Sequence, residues 1–417
     1  MGLDCLTLNH VLGFMNRASP LVSAIFVFSC RAKATGLQMT FVGMAKHIAM
    51  NNDVLSEILL CLPVPSLLRF RAVCKTWGNI IDSQPFQKLH THNNDKSDDM
   101  VHLQLTHSNE QDKLCLQVTF PNLVNRVQKE LSIKLQCDRK SLMLVDAVKG
   151  LICINPTMFQ VPVAICNPFL GKLKLLPLKA SSPSKCSYTM YRRKVAIGFD
   201  EDYKVVQLLS CGQHRYFHAQ VFSKSTDSWR ELADIVIEDL AIDLVVPIKS
   251  GCKNGYFVHW YAYLRKVGGD VERKILSFDM KNEVFREITL PVGYPYIHLV
   301  IVRGKALRVH TVSHIFAEDE HSFRLFDFLT CGSDNLVKIY ESRCAGSELS
   351  WKHVMNVRVP LSGSEVPLCR TCCVFFMHQS GVFVYDYSAR KFICKHSVSE
   401  VICMDEIVEY RGSFISV

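Results

Sequence analysis

Residues 222–232, FSKSTDSWREL, lie over residues 278–288, FDMKNEVFREI, at a constant offset of 56. Phe222 falls on Phe278, Asp227 on Glu283, Trp229 on Phe285, Arg230 on Arg286, Glu231 on Glu287 and Leu232 on Ile288. An echo at fixed period marks a repeat architecture, in which each unit cannot bury its own apolar faces and stacks on its neighbours. Each copy reads as a strand, a polar turn and a second strand opened by an aromatic residue. YDYSARKF (385–392) keeps the seven-residue step from aromatic to aromatic, and IYESRCAGSELSW (339–351) keeps it with four extra residues assigned to the turn. ICNPFLGKLKLLP (165–177) is a weaker copy with Leu173 in the aromatic place.

The second-strand markers at 173, 229, 285, 351 and 392 therefore suit a kelch-type β-propeller with unequal loops. Roughly 320 residues at about 45 to 50 per four-stranded blade predict six or seven blades. Short apolar runs such as VHLQL, DYKVVQLLSC, GYFVHWYAYL and YIHLVIV, bounded by Gly, Pro, Asn or Ser, agree with a mainly β chain. Apolar residues on both faces of each hairpin fit sheets covered by neighbours, so stacked aromatics there read as core. The polar run THNNDKSDD (91–99) predicts a linker. The expected organisation is an unstructured extension over 1–46, a helical domain over 47–90, a linker over 91–100 and the β-domain over 101–417.

The segment 51–81, NNDVLSEILLCLPVPSLLRFRAVCKTWGNII, breaks the β pattern. Asn52 or Asp53 can cap a helix in which Val54/Ile58, Leu55/Leu59 and Ile58/Leu62 pair at i,i+4, until Pro63 stops it. A second helix is predicted from Pro65, with Phe70, Cys74, Trp77 and Ile81 spaced by 4, 3 and 4. About 40 residues cannot bury so many large side chains among themselves. The excess apolar surface needs a partner, either the rest of this chain or a separate protein.

The pattern E-I-L-x-x-L-P-V-x-S-L-L-R-F-R-x-V-C-K-x-W, from Glu57 to Trp77, resembles the F-box of the large plant F-box family. Where that family opens with Leu-Pro this chain has Met50 and Asn51, and Pro65 stands at a usually basic place. The stretches KGLICI (149–154), ICNPFLGKLKLLP, GFDEDYKVVQL (198–208) and VFSKSTDSWREL resemble the F-box-associated domain of the same proteins. The resemblance implies a mainly β fold in which a small N-terminal helical F-box precedes a kelch-like propeller. It implies a substrate-recognition subunit whose helices bind a Skp-type adaptor, and through it a cullin, while the β-domain holds an unknown target protein for ubiquitination. The adaptor-binding residues it points to are Met50, Val54, Leu55, Ile58, Leu59, Leu62, Pro63, Leu67, Leu68, Arg69, Val73, Cys74 and Trp77. A non-ligase binding protein and a propeller enzyme stay open as alternatives.

A net charge of +9 without a dense Lys/Arg block argues against a nucleic-acid partner. The 18 cysteines stand singly in apolar segments, among them Cys115, Cys153, Cys166 and Cys211, as reduced thiols do in the cytosol or nucleus. Asn155-Pro156-Thr157 is blocked as a glycosylation acceptor by its proline. LVSAIFVFSC (21–30) is too short to span a bilayer, and the charge that precedes it, Arg17, lies too far from the start for a signal peptide, so no membrane role is expected. Cys369, Cys372, Cys373 and His378 could form half of a zinc site, but the apolar residues that follow them favour buried strand cysteines. No nucleophile elbow, phosphate-binding loop, dinucleotide fingerprint or H-E-x-x-H motif is present, so neither catalysis nor a cofactor is expected. KASSPSKCSYTMYRRK (179–194) reads first as a solvated loop, with steering of an acidic partner as its alternative.

Overall fold

The computed structural model describes residues 52–94, 101–107, 114–119, 126–133, 142–156, 161–178, 192–210, 216–233, 235–236, 240–247, 255–266, 271–289, 297–302, 305–317, 323–331, 334–345, 348–359, 366–369, 373–378, 381–386, 389–396, 407–410 and 412–417. The extension 1–46, Met50, Cys211, Cys372 and nearly all of the basic stretch 179–194 lie outside them. The chain divides into two compact units, residues 1–59 and 60–417.

Four helices are described: α1 (Asn52–Leu60), α2 (Val64–Phe70), α3 (Lys75–Asp82) and α4 (Gln84–Asn94). Helix α1 ends before Leu62, which precedes Pro63 and is biased away from helical geometry, so Ile58 and Leu62 do not share a helix face. Pro63 caps α2 in extended geometry and its carbonyl accepts from the backbone N–H of Ser66 and Leu67, while Pro65 sits in the first turn. The single second helix expected from Pro65 to Ile81 is two helices. The chain turns at 71–73 and Cys74 is extended (φ −160°, ψ 167°), which folds Trp77 back edge-on to Phe70 at 5.4 Å between ring centroids. Helix α4 runs to Asn94, into the predicted linker. Ser83 joins α3 to α4: its hydroxyl donates to Ile80 O at 2.8 Å and accepts from Phe86 N at 3.4 Å.

Among the described residues of 60–417 there are six antiparallel sheets. The first unites three strands from 101 to 133 with Ile407–Tyr410, through pairs such as His102/Glu409 and Leu103/Val408, and so ties together distant parts of the sequence. The second contains Leu142–Val148, Leu151–Pro156, Ala164–Asn167 and Lys172–Leu175 in that order. The third orders Arg192–Phe199, Tyr203–Ser210, Tyr216–Ser223 and Ser228–Glu231, and the fourth Leu240–Pro247, Phe257–Lys266, Val271–Asp279 and Val284–Thr289. The fifth has five strands between 297 and 359, and the sixth has four between 366 and 396. First strands of successive sheets lie side by side: Leu142–Val148 neighbours both Ile407–Tyr410 and Arg192–Phe199, which in turn meets Leu240–Pro247.

Two apolar layers fill the space between sheets. Leu151, Cys153, Ile165, Val195, Tyr203 and Phe222 pack between the second and third, and Val206, Phe217, Trp260, Leu276, Phe278 and Met280 between the third and fourth. Cys153 and Cys166 are free, fully buried thiols; burial pushes both upward, Cys166 to about 12, so they stay neutral as small apolar groups.

The repeat has a geometric cause. Phe222 faces Trp229, Phe278 faces Phe285 and Tyr385 faces Phe392 directly across neighbouring strands, and Cys166 faces Leu173 in the weaker copy. In all four, a four-residue connection ends in a left-handed residue: Gly171 (φ 64°), Asp227 (φ 50°), Glu283 (φ 56°) and Arg390 (φ 50°). Three of these turns open on a side-chain cap. Asn167 Oδ1 accepts from Phe169 N and Leu170 N, Asp279 Oδ1 from Lys281 N and Asn282 N, and Asp386 Oδ1 from Ala389 N. The fifth sheet departs from the expected copy: Tyr340 faces His353, with ring centroids 5.3 Å apart, while Trp351 faces Ser342. The four extra residues lengthen the ladder, which continues to Ala345/Glu348, and a bulge between Ile339 and Tyr340 offsets the register.

Acidic left-handed residues also join neighbouring sheets. Asp227 meets Lys174 of the second sheet at 2.6 Å, and Glu283 meets Arg230 and Lys204 of the third, the latter at 3.1 Å. Trp229 Nε1 donates to Pro177 O at 2.7 Å.

The left-handed turn residue yields two tests of opposite sign. Gly171 has open space where a Cβ would stand, so Gly171→Ala is expected to lose about 1 kcal/mol through backbone strain alone. Exposed Arg390, already in that strained region, is expected to gain roughly 0.5 to 1 kcal/mol on Arg390→Gly. Denaturant midpoints of the full chain measure both.

Candidate functional site

The helical block carries the residues to which the sequence pointed. In α1, Leu55 and Leu59 are buried, Ile58 is half-buried and Val54 is 50% exposed. Their i,i+4 spacing puts Val54 and Ile58 on one stripe and Leu55 and Leu59 on the next, so the helix has a covered apolar stripe beside an open one.

Within 60–417 the same division recurs. Leu67 and Val64 of α2 are buried, Leu62 and Leu68 half-buried, and Pro63 and Arg69 exposed. In the turn after α2, Val73 is 57% exposed and Cys74 is exposed; Trp77 follows in α3, half-buried against Phe70. Arg71 pairs with Asp82 at 2.7 Å and closes this turn against the end of α3. Both partners are nearly half exposed, so the pair holds the turn's shape more than its stability. The turn thus presents Val73 and Cys74 on a backbone anchored at both ends. Of the thirteen residues, Leu55, Leu59 and Leu67 are already covered; Val54, Pro63, Arg69, Val73 and Cys74 face outward, and Ile58, Leu62, Leu68 and Trp77 are intermediate.

Sequence reasoning missed His90. Its imidazole is 2% exposed, with Nε2 against Leu62 O at 2.8 Å, its ring stacked on Phe86 at 6.0 Å and edge-on to Phe414 at 5.5 Å. Nδ1 is buried and has no hydrogen-bond partner. Burial lowers the pKa of His90 below its ordinary 6.5 in spite of the bond to Leu62, which acts the other way. The neutral ring, with Nε2–H donating, is the form that fits. No motif flags a lone histidine in a polar helix; the signal was the spacing Phe86/His90, one helical turn apart on the covered face.

Among the described residues no three His, Cys, Asp or Glu side chains gather as a metal site, and no helix is long and apolar enough to cross a membrane.

Comparison with known proteins places this geometry. Residues 49–89 match the model of the F-box domain, and residues 92–313, more than half of the chain, match that of the F-box associated beta propeller domain. A putative F-box protein of Arabidopsis thaliana is 24% identical over 285 residues, covering 65% of this chain and 71% of that protein. An F-box protein of the same plant is 27% identical over 248 residues, 59% of this chain and 57% of its own length. An F-box/kelch-repeat protein of that species is 26% identical over 248 residues, 58% of this chain and 65% of that protein.

A buried neutral histidine makes the helical block acid-sensitive. Because the folded-state pKa is depressed, the contribution of His90 is complete above pH 6.5 and is lost as pH falls below it. The thermal midpoint of the native chain is expected to drop between pH 7 and pH 5 by more than that of His90→Phe, which has no proton to gain. Equal slopes for the two proteins would contradict the assignment.

Proposed function

Since the chain belongs to the family of plant F-box proteins that carry an F-box associated beta propeller domain, we propose that it is the substrate receptor of a Skp–cullin–F-box ubiquitin ligase, acting in the cytosol or nucleus. The helical block binds a Skp-type adaptor, and the adaptor carries the chain to a cullin. The β-domain holds a target protein close to the ubiquitin-loading enzyme. Such a subunit contributes no reacting group; it raises the effective concentration of the target at the transfer site.

The observation that carries this reading is exposed apolar side chains inside the stretch matched by the F-box model, Val54 in α1 and, separately, Val73 and Cys74 in the turn after α2. Within α1, Ile58 is half-buried beside the covered Leu55 and Leu59; within 60–417, Leu62, Leu68 and Trp77 are half-buried and Leu67 is covered. Met50 and Asn51, in place of the family's Leu-Pro, belong to the same proposed contact, with methionine as a flexible apolar anchor.

Capture of the full chain on an immobilised Skp-type adaptor tests the proposal. Wild type is expected to be retained, and Val54→Asp and Val73→Asp each to weaken retention at least tenfold, about 1.4 kcal/mol. Both positions are at least half exposed, so a charge there leaves the fold intact. Failure of the wild-type chain to bind, under conditions that retain another F-box protein, would remove the ligase reading.

A further inference from the structure

Residues 412–417, GSFISV, run in contact with helices on one side and sheets on the other. We propose that this segment is a strap that holds α2 and α4 on the second and third sheets, with Phe414 seated on the helices and Asn167 and Lys224 gripping its backbone.

Toward the sheets, Asn167 is fully buried and its Nδ2 donates to both Ser413 O at 3.0 Å and Ile415 O at 2.9 Å. Lys224 Nζ donates to Ser416 O at 2.9 Å and Lys172 Nζ to Ser416 Oγ at 3.2 Å. Ile415 and Val417 pack on the apolar layer between the second and third sheets. Just ahead of the strap, Tyr410 donates its hydroxyl to Gly150 O at 3.2 Å and sets its ring edge-on to Phe169. Toward the helices, Phe414 meets the ring of His90 in α4, and Gly412 lies between Phe169 and Val64 of α2. A Cβ on Gly412 would stand 2.3 Å from the Phe169 ring and 3.2 Å from Val64 Cβ, so the passage admits glycine alone without displacement.

The two sets of contacts alternate along the segment, with the carbonyls of 413 and 415 bonded to Asn167 and the ring of Phe414 against α4. The strap therefore links the two layers, with Phe414 on α4 and with Ile415, Val417 and the Asn167 bonds on the sheets. Asn167 holds a double role: Oδ1 caps its own turn while Nδ2 holds the strap. Asn167→Asp separates these roles, because a carboxylate still accepts the turn N–H groups but opposes the carbonyls of Ser413 and Ile415.

Hydrogen–deuterium exchange on the full chain reads the coupling directly. In both Phe414→Ala and Asn167→Asp, peptides covering 62–94 are expected to exchange at least tenfold faster, while those covering 271–289 in the fourth sheet keep their wild-type rates. The double variant is expected to be no more than about twofold faster than the faster single one, since both cut the same connection. Phe414→Leu, which keeps an apolar side chain on His90, is expected to restore most of the protection. Unchanged exchange over 62–94 in Asn167→Asp would overturn the strap, and so would acceleration spread equally over 271–289. Should Phe414→Ala not fold, Asn167→Asp decides alone.

Discussion

The β-domain depends on the direct facing of large side chains across a four-residue turn, Phe222 on Trp229 and Phe278 on Phe285. A one-residue slip in either ladder would turn every inward side chain outward. The left-handed residue that ends each turn prevents that slip by fixing where the return strand begins. With register set, Phe222 falls into the apolar layer between the second and third sheets and Phe278 into that between the third and fourth. Neither sheet could bury both of its faces alone. The same turns carry Asp227 and Glu283 to cations on the preceding sheet, so one local geometry serves both the hairpin and its junction with a neighbour.

That geometry was readable in the chain because it obeys a short period. The alignment at offset 56 sets Asp227 over Glu283 and Arg230 over Arg286, although as letters those residues read as an ordinary polar turn. The fifth sheet was misread because the spacing between aromatics does not distinguish a longer turn from a longer ladder. His353, which faces Tyr340, is also a weaker signal than a tryptophan two residues away. The helical block showed the complementary error. Apolar spacing joined Phe70 to Trp77 in one helix, whereas the two rings meet because the helix breaks between them. Periodicity reports which residues share a side and says nothing about a turn that brings them together.

The candidate docking face was legible as a list and not as a surface. Leu55 and Val54 look alike as letters, yet one is covered and the other half in water. Which leucine is covered and which valine faces out depends on packing that the letters of α1 do not carry. The last six residues went unnoticed for the same reason, since their partners Asn167 and His90 lie about 246 and 324 positions earlier.

The pairs Lys174/Asp227 and Arg230/Glu283 are each 53 residues apart and cross from one sheet to the next. Reversing the charge at one member therefore sets it against a like charge 53 residues away on the neighbouring sheet. Duplicating or deleting a complete unit conserves this bookkeeping, whereas recombination inside a unit breaks it.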